Sequence, residues 1–378
     1  MSLSGPDDDK SWPLDREERS GGEPWDIPAR EPRLAAVKPA TLLKVVREGS
    51  PLIRLRVFRD GRSAVRLAGT RALLDSGLLD ALAPLGGSAN AARLAERAEL
   101  TDVELCRALL ELGAAYGLVR SVPGGWQLTR QGRSLVGDST GRAMVEALGG
   151  YHYDLYRELP AQLRGGPRRD DLEVHAELIA RVSSALAPFI RDTVLAAVDE
   201  VRPQRVLDIG CGEGEYLTAM LKHSVTATGV GLEADERVAA LASERLRRAR
   251  GDRGQVLVGS APADLARAAE ALGGPADLVL LANVIYYVAP PERAAVLEQI
   301  ASVTAPGGAV LVTTTVAEPT VASRHLGLLF QAQRVPMLLP TAEGLVADLR
   351  RAGLAVDRSR RVAPGEPVVA ALARRQPG

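Results

Sequence analysis

The second half of the chain alternates between short apolar runs and longer stretches with helical spacing, and this alternation restricts the fold more than any other feature. The apolar runs are typical of strands and are predicted at 205–209, 225–230, 255–258, 278–282 and 309–315. Strands that alternate with helices form a largely parallel, doubly wound sheet. Two further apolar runs, 354–362 and 367–373, are predicted to close the sheet as an antiparallel hairpin. This half is therefore predicted to be α/β.

The first half has a mostly helical pattern. Apolar residues recur at spacings that mark one helix face, at Leu42, Leu43, Val45 and Val46 and again at Leu73, Leu74, Leu78, Leu79 and Leu82. Short helices are predicted over 90–98 and 101–116, the second with Thr101 as N-cap and Glu104 completing a capping box. A hairpin with its turn at 123–125 follows. Helix, helix and hairpin together predict a winged helix.

A winged helix can bind DNA or serve as a dimerisation scaffold. The predicted recognition helix carries Asp102, Glu104 and Glu111 against Arg107, which suits phosphate contact poorly. Over the whole chain 47 basic residues balance 47 acidic ones, so no net charge favours a nucleic-acid or membrane partner. Dimer packing and a small-molecule partner are expected instead.

The cysteine content and the lack of long apolar runs predict a soluble, cytoplasmic protein. The two cysteines, Cys106 and Cys211, are far apart, which disfavours a disulfide framework or a zinc site. The sequence shows no signal-peptide pattern and no apolar run of the ~20 residues that span a bilayer. Residues 1–32 are acidic and rich in Gly and Pro, and are predicted to be a disordered tail.

A glycine-rich turn follows the first predicted strand of the second half. Gly210, Gly212 and Gly214 let the backbone turn tightly and approach a ligand at the carboxyl edge of the sheet. Asp208 precedes these glycines; its carboxylate would repel a pyrophosphate but could pair with a cationic amine. The spacing also differs from the dinucleotide pattern Gly-x-Gly-x-x-Gly.

This turn resembles the S-adenosyl-L-methionine (SAM) motif of class I methyltransferases, whose fold is Rossmann-like. The resemblance implies SAM as cofactor, with Asp208 and the three glycines facing its methionine portion. A second acid after the next strand should bind ribose hydroxyls, and Glu233 is predicted for that role, with Asp235 as a competitor. Two polar residues after later strands are also predicted to contact the cofactor: Ser260 and Asn283.

The helical half is similar to the N-terminal dimerisation domain of small-molecule O-methyltransferases of the plant and polyketide-tailoring type. The stretches 72–82 and 109–118 carry that likeness. It implies a homodimer and a small-molecule acceptor of the natural-product type. The organisation that follows is a tail over 1–32, a winged-helix dimerisation domain over 33–140, linker helices covering the active site over 141–200, and a SAM-binding catalytic domain over 201–378.

The chain departs from that family at the general base. In the segment 284–288, Tyr286 stands where the family has a histidine, and Tyr287 is beside it. A tyrosine with a pKa near ~10 is a poor base at neutral pH. Acceptors that need little or no general-base catalysis remain candidates: a neutral amine, an enolisable carbon or an acidic hydroxyl. The Tyr286 ring could still attract the sulfonium by a cation–π contact.

Tyrosines and histidines elsewhere supply further candidates. Tyr151, Tyr153 and Tyr156 lie in the linker and are predicted, with Tyr287, to face the acceptor, although packing at a domain junction is an equal alternative. His152 and His325 are each predicted as a replacement for the missing base. No pair of histidines has metal-ligand spacing, so a metal is not expected.

The resulting prediction is a SAM-dependent methyltransferase that acts on a small molecule through oxygen, nitrogen or carbon. One alternative is an enzyme that binds SAM but does not methylate. An example is a cyclase, in which an internal nucleophile attacks the carbon chain of SAM. The other is a transcription regulator that uses the winged helix for DNA and the α/β half as a ligand sensor.

Overall fold

The computed structural model describes Ala40, Lys44, Arg47 and residues 49–249 and 253–377. The predicted tail over 1–32 and the apolar residues Leu42, Leu43, Val45 and Val46 lie outside the described residues. The chain divides into two compact units, Met1–Arg62 and Ser63–Gly378.

Helices predominate before residue 205, as the sequence predicts. They are α1 (Pro51–Asp75), α2 (Leu78–Leu82), α3 (Ala91–Arg97), α4 (Val103–Ala115), α5 (Arg130–Gly137), α6 (Ser139–Leu148), α7 (Tyr151–Gln162), α8 (Asp171–Val174), α9 (Ala176–Ser183) and α10 (Ala187–Val201). Between α4 and α5 the strands β1 (Val119–Val122) and β2 (Gly125–Leu128) pair antiparallel.

The helix–helix–hairpin segment forms where it was predicted, with one correction at the start of α4. The Asp102 side chain accepts a hydrogen bond from the Leu105 N–H (2.9 Å) and caps this helix, so the prediction of Thr101 as N-cap was wrong. A carboxylate at the N-cap also complements the helix dipole. Leu73, Leu94 and Leu110 are fully buried in the core of this segment.

The second half folds as strands and helices in alternation. The elements are β3 (Arg205–Ile209), α11 (Glu215–His223), β4 (Thr228–Glu233), α12 (Glu236–Arg248), β5 (Gly254–Val258), α13 (Leu265–Ala271), β6 (Ala276–Ala282), α14 (Arg293–Ser302), β7 (Thr304–Thr315), α15 (Val321–Gln331), α16 (Ala342–Arg351), β8 (Leu354–Arg361) and β9 (Val368–Arg375).

Within the described residues these strands form one seven-stranded sheet in the order β5-β4-β3-β6-β7-β9-β8. The first five strands of that order pair in parallel, whereas β9 is antiparallel to both β7 and β8. The prediction of a doubly wound sheet closed by an antiparallel hairpin is therefore confirmed.

The bounds of β4 differ from the predicted strand at 225–230. Val225 is 76% exposed and lies before the strand, and pairing with β3 begins only at Thr228. The strand continues to Glu233, which brings a carboxylate to the carboxyl edge of the sheet. An apolar residue in the preceding turn shifted the prediction by three positions.

Helices cover both faces of the sheet. On one face Leu207, Ile209 and Val279 pack in a buried cluster; on the other, Val206, Leu278 and Leu280 pack against α10 and α11. Side chains alternate between faces along a strand, so Asp208 shares the face of Val206. In the part of the chain that the structure describes, no helix combines the length and apolar character of a membrane span.

Candidate active site

A cleft of about 880 Å³ opens at the carboxyl ends of β3, β4 and β6. This volume is within the roughly 300–1,000 Å³ of small-molecule sites. The strand order reverses between β3 and β6, and doubly wound sheets bind ligands at such a switch point. Its walls include Gly210, Gly212, Glu233, Ser260, Asn283, Tyr286 and Tyr287, together with Arg181, Ser184 and Tyr216.

The glycine turn is shaped by left-handed backbone conformations. Gly210 and Gly212 have φ of 66° and 54° and line the cleft. A Cβ on Gly210 would lie 2.5 Å from Cγ2 of Val284, whereas one on Gly212 would meet open space. Gly214 (φ 74°) caps α11 and packs against Ala242, so it supports the turn from behind and is not among the cleft-lining residues.

Glu233 connects β4 to this turn. Its Oε2 accepts a hydrogen bond from the Gly212 N–H (2.9 Å), and its Oε1 accepts one from the Asp235 N–H (3.1 Å). A carboxylate has about four acceptor sites, so both oxygens retain capacity for ligand hydroxyls. Asp235, the competing residue, instead caps α12 by accepting from the N–H groups of Arg237 and Val238.

Asp208, predicted as a cofactor-binding residue, lies behind the glycine turn. Its side chain is fully buried and does not line the cleft, and neither carboxylate oxygen has a hydrogen-bond partner within the described residues. Burial raises its pKa to about 7, with the nearby charge of Glu233 adding to the increase and the Leu217 backbone N–H opposing it. Asp208 therefore faces the sheet interior behind α11 and not the cleft.

Ser260 and Asn283, the two polar residues predicted to contact the cofactor, both line the cleft. Asn283 has φ of 59°, its N–H donates to the Thr313 carbonyl (2.8 Å), and its buried Oδ1 has no partner in the described structure. Asparagine tolerates this conformation better than most residues. Ser260 is exposed, and its N–H donates to Oδ2 of Asp264 (2.9 Å), which fixes the loop after β5.

Tyr286 and Tyr287 lie in a short 3₁₀ turn after β6 and both line the cleft. Their ring centroids are 4.9 Å apart, and the Tyr286 ring is 5.1 Å from that of Phe330 in α15. Burial raises the pKa of Tyr286 well above its ordinary value. Its hydroxyl therefore stays protonated at neutral pH and cannot act as a base, while its ring face remains available to a cation.

The linker tyrosines and the two candidate histidines do not line this cleft. Tyr151 is buried, Tyr153 is exposed, and Tyr156 lies beside His325 between α7 and α15. His152 contacts His325 in the same place. The linker instead contributes α9 and the turn after it to the cleft wall.

The sequence reasoning missed Arg181, a cation in α9 that lines the cleft. Its Nη2 donates to Oε2 of Glu146 (3.1 Å), while its buried Nε has no partner within the described chain. The apolar spacing of α9 could have indicated which residues turn inward, but no motif marks this arginine.

The cleft fits a nucleoside that carries both a cationic and an anionic end. Glu233 can accept two ribose hydroxyls, the Arg181 guanidinium can pair with a carboxylate, and Asn283 presents an unpartnered acceptor. In its ionised form, the buried Asp208 carboxylate favours positive charge nearby. The residues present are thus compatible with SAM. No group of three or more His, Cys, Asp or Glu residues in the described chain could hold a metal ion.

A family model described as a methyltransferase domain matches residues 180–359. No curated protein matches the chain. Among solved structures, the mitomycin 7-O-methyltransferase MmcR is similar at 22% identity (TM-score 0.69), covering 86% of this chain and 98% of that one. Human N-acetylserotonin methyltransferase with SAM gives 18% identity (TM-score 0.62), with coverage of 87% and 99%.

A third similar structure is the N,N-8-amino-8-demethyl-D-riboflavin dimethyltransferase from Streptomyces davawensis, at 24% identity (TM-score 0.65), with coverage of 86% and 99%. At such identities these structures establish the fold, and the methyltransferase-domain model matches residues 180–359, a little under half of the chain.

Proposed function

We propose that this protein, whose C-terminal part is a SAM-dependent methyltransferase domain, transfers the methyl group to a small-molecule acceptor of the natural-product type. The cleft supports this assignment most directly. Its glycine turn, Glu233 and an aromatic wall meet at the switch point of the sheet, in a volume that suits a nucleoside and a small acceptor.

The cofactor site comprises Asp208, Gly210, Gly212, Gly214, Glu233, Ser260 and Asn283, with Arg181 added. In this proposal Glu233 accepts the ribose hydroxyls and Arg181 pairs with the methionine carboxylate. Gly210 and Gly212 allow the close backbone approach, while Asp208 and Gly214 support the turn from behind. When bound, SAM supplies an electrophilic methyl group on a positively charged sulfur.

Catalysis in this proposal comes mainly from positioning. Methyl transfer is an in-line displacement, for which fixing donor and acceptor removes much of the entropic barrier. Tyr286 presents its ring to the sulfonium and Tyr287, 59% exposed, extends the wall toward the acceptor. The raised pKa of Tyr286 assigns it no proton-accepting role.

The similar structures do not decide whether the acceptor atom in this protein is oxygen or nitrogen. MmcR is described as an O-methyltransferase, and the Streptomyces davawensis enzyme as a dimethyltransferase of an amino-riboflavin. The balanced net charge of this chain supports a small molecule over nucleic acid.

A homodimer and a winged-helix dimerisation domain belong to the same proposal. The α1 helix exposes Leu55 and Phe58 to solvent, an apolar surface that a second copy would cover. In α4, Arg107 is 3.4 Å from Glu104, which leaves this basic side chain partly neutralised and supports packing over DNA contact. The buried free thiols of Cys106 and Cys211 support a cytoplasmic location.

The test is incubation of the purified protein with methyl-labelled SAM and a panel of phenols, aromatic amines and enolisable ketones. A methylated product together with S-adenosylhomocysteine supports the proposal. Methylthioadenosine without a methylated acceptor would indicate a cyclase, and a shifted band with random DNA would indicate a regulator. Glu233→Ala serves as the control that should reduce labelling at low SAM concentration.

A further inference from the structure

A buried arginine at the start of α14, Arg293, joins two segments beside the cleft. Its side chain is 4% exposed. Its Nε donates a hydrogen bond to the Val288 carbonyl (3.0 Å), and its Nη2 donates one to the Leu338 carbonyl. One guanidinium therefore connects the turn after β6 to the segment between α15 and α16.

The position of Arg293 is unfavourable for a cation in two respects. Burial disfavours the charged form and lowers the pKa of Arg293, although the charge of Asp348 opposes that decrease. The positive end of the α14 dipole also repels a cation in the first turn of the helix. Asp348 itself pairs with Arg351 (2.5 Å), and within the described chain Arg293 forms no ion pair. The two carbonyl contacts, and not charge neutralisation, account for its place.

The first of the joined segments carries the cleft tyrosines. Val288 follows Tyr287 directly at the end of the 3₁₀ turn, its N–H donates to the Ile285 carbonyl (3.2 Å), and it lines the cleft. The hydrogen bond from Arg293 fixes the carbonyl at the end of this turn. If that end were released, the Tyr286 and Tyr287 rings would move with the turn.

The second segment is attached to the other end of the aromatic wall, which consists of Tyr286, Tyr287 and Phe330. The Met337 N–H donates to the Phe330 carbonyl (3.3 Å), and the Phe330 ring is 5.1 Å from that of Tyr286. Met337 is buried, so this attachment is shielded from water. The contacts close into a circuit that runs through Tyr286, Phe330, Met337, Leu338, Arg293 and Val288.

An arginine suits this bridge because its guanidinium presents five N–H donors in a rigid, planar fork. Its Nε and Nη2 reach carbonyls of two different segments at once. A lysine ammonium is a point charge on a flexible stem, so it could reach one carbonyl but would not hold both in a fixed plane. The bridge is thus a property of the guanidinium fork and not of positive charge alone.

We propose that Arg293 is a positioning residue for methyl transfer, because it fixes the aromatic wall against which the acceptor is aligned with the methyl group. The inference rests on the proposed methyltransferase function and extends it to a residue that does not line the cleft. An in-line displacement tolerates little misalignment, and a shift on the order of 1 Å can cost roughly 10²-fold in rate. Loss of the bridge should therefore lower kcat.

The cofactor half of the cleft is held by other contacts. The Gly212 N–H donates to Glu233, and the Gly210 N–H donates to the Leu232 carbonyl (2.7 Å). These contacts lie at the ends of β3 and β4 and involve neither α14 nor the segment after α15. Loss of Arg293 should consequently change the affinity for SAM far less than it changes kcat.

The experiment compares Arg293→Lys with a matched control, Arg253→Lys. Arg253 is also a partly buried arginine, and its guanidinium donates to the carbonyls of Leu221, Ser224 and Ala227 (2.6, 2.8 and 2.8 Å). These carbonyls precede β4, at the edge of the sheet opposite to the cleft. The two variants therefore remove the same kind of contact, one beside the aromatic wall and one away from it.

Arg293→Lys should lower kcat by about 10- to 100-fold with any acceptor that the wild type methylates, and should change the Kd of SAM, measured by calorimetry, by less than about 3-fold. Arg253→Lys should leave both values near those of wild type. Thermal unfolding of each variant defines a temperature at which both are folded, and kcat is measured there. An equal loss of kcat in the two variants, or no loss in Arg293→Lys, overturns the proposal.

NMR of the tyrosine rings tests the position of the wall without any acceptor. The chain contains seven tyrosines, and Tyr286→Phe identifies the Tyr286 signal in protein labelled with ¹³C-tyrosine. Arg293→Lys should shift that signal and leave unchanged the signal of Tyr116, which packs in the core of the N-terminal helices. An unmoved Tyr286 signal overturns the inference. If the wild type transfers no label to any acceptor while the Tyr286 signal shifts in the variant, the proposed function fails and the contact of Arg293 with the wall stands.

Discussion

The Glu233 carboxylate accepts a hydrogen bond from the backbone N–H of Gly212, so one side chain at the end of β4 holds the turn that follows β3. This contact joins the residue that we propose for ribose binding to the glycine turn, two features that the sequence analysis treated separately. A carboxylate that does both cannot be replaced without loosening the turn.

The first prediction concerns this contact. Glu233→Ala removes a charged acceptor, and hydrogen bonds to charged groups contribute about 1.5–3 kcal/mol. SAM affinity should fall by about 10- to 100-fold in titration calorimetry. Glu236→Gln, which neutralises an exposed carboxylate in the first turn of α12, is the matched control. Equal affinities for Glu233→Ala and wild type would contradict the ribose assignment.

A second prediction follows from the buried Asp208. Its pKa is raised from 3.8 to about 7, so the folded apoprotein holds this proton more tightly than the unfolded chain does. The associated stability is present below about pH 4 and is lost as the pH rises through about 7. Asp208→Asn should lack this loss and gain stability relative to wild type, on the order of 4 kcal/mol between those limits.

Urea denaturation at several pH values measures this difference. Because both proteins are compared without ligand, binding does not enter. A constant difference in unfolding free energy across the window would show that Asp208 is ionised in the folded protein.

His152 should have the opposite pH dependence. Its pKa is lowered from 6.5 to about 4, mainly by burial and by His325, with Arg169 adding to the decrease and Asp171 opposing it. Its contribution is therefore present above about pH 6.5 and lost as the pH falls toward 4, by about 3 kcal/mol. His152→Asn should flatten this part of the profile. The exposed-histidine variant His223→Asn should retain the wild-type slope, and an unchanged slope in both would refute the prediction.

The glycine turn gives a fourth prediction. Gly210→Ala places a Cβ 2.5 Å from Val284 and also puts alanine in a left-handed conformation. Gly212→Ala puts alanine in a left-handed conformation but causes no clash. The left-handed conformation costs an L-residue roughly 1–2 kcal/mol. Gly212→Ala should lose about that much stability, and Gly210→Ala more.

Thermal and chemical unfolding of both variants tests the ranking. Adding Val284→Ala to Gly210→Ala should recover the stability lost through the clash. The stability lost through the left-handed conformation should remain lost. If the double variant is no more stable than Gly210→Ala, the close approach to Val284 is not the cause.

Much of the fold could be predicted because the apolar pattern determines which segments become strands. The strand β3 was predicted at its observed bounds because both of its faces are buried. Its ends are marked by Arg205 and by Gly210. The strand β4 was misplaced because Val225 is apolar yet lies in an exposed turn. Periodicity reports the average environment of a segment and does not fix where pairing starts.

The site was predicted less completely. Alternation along β3 places Asp208 on the face of Val206, beneath α11, and the sequence reasoning did not apply that alternation to the carboxylate. Arg181 and the linker tyrosines depend on how α7 and α9 dock, which no local pattern encodes. The meeting of His152 with His325, 173 positions apart in the chain, likewise requires the tertiary structure.

The position of β9 limits the order in which the sheet can be completed. Within the described chain β8 pairs only with β9, and β9 alone joins it to β7. The strand β8 therefore has no partner in the sheet until β9 has been inserted beside β7. Deleting β9 would remove two strands from the sheet at once, and β7 would become an unprotected edge.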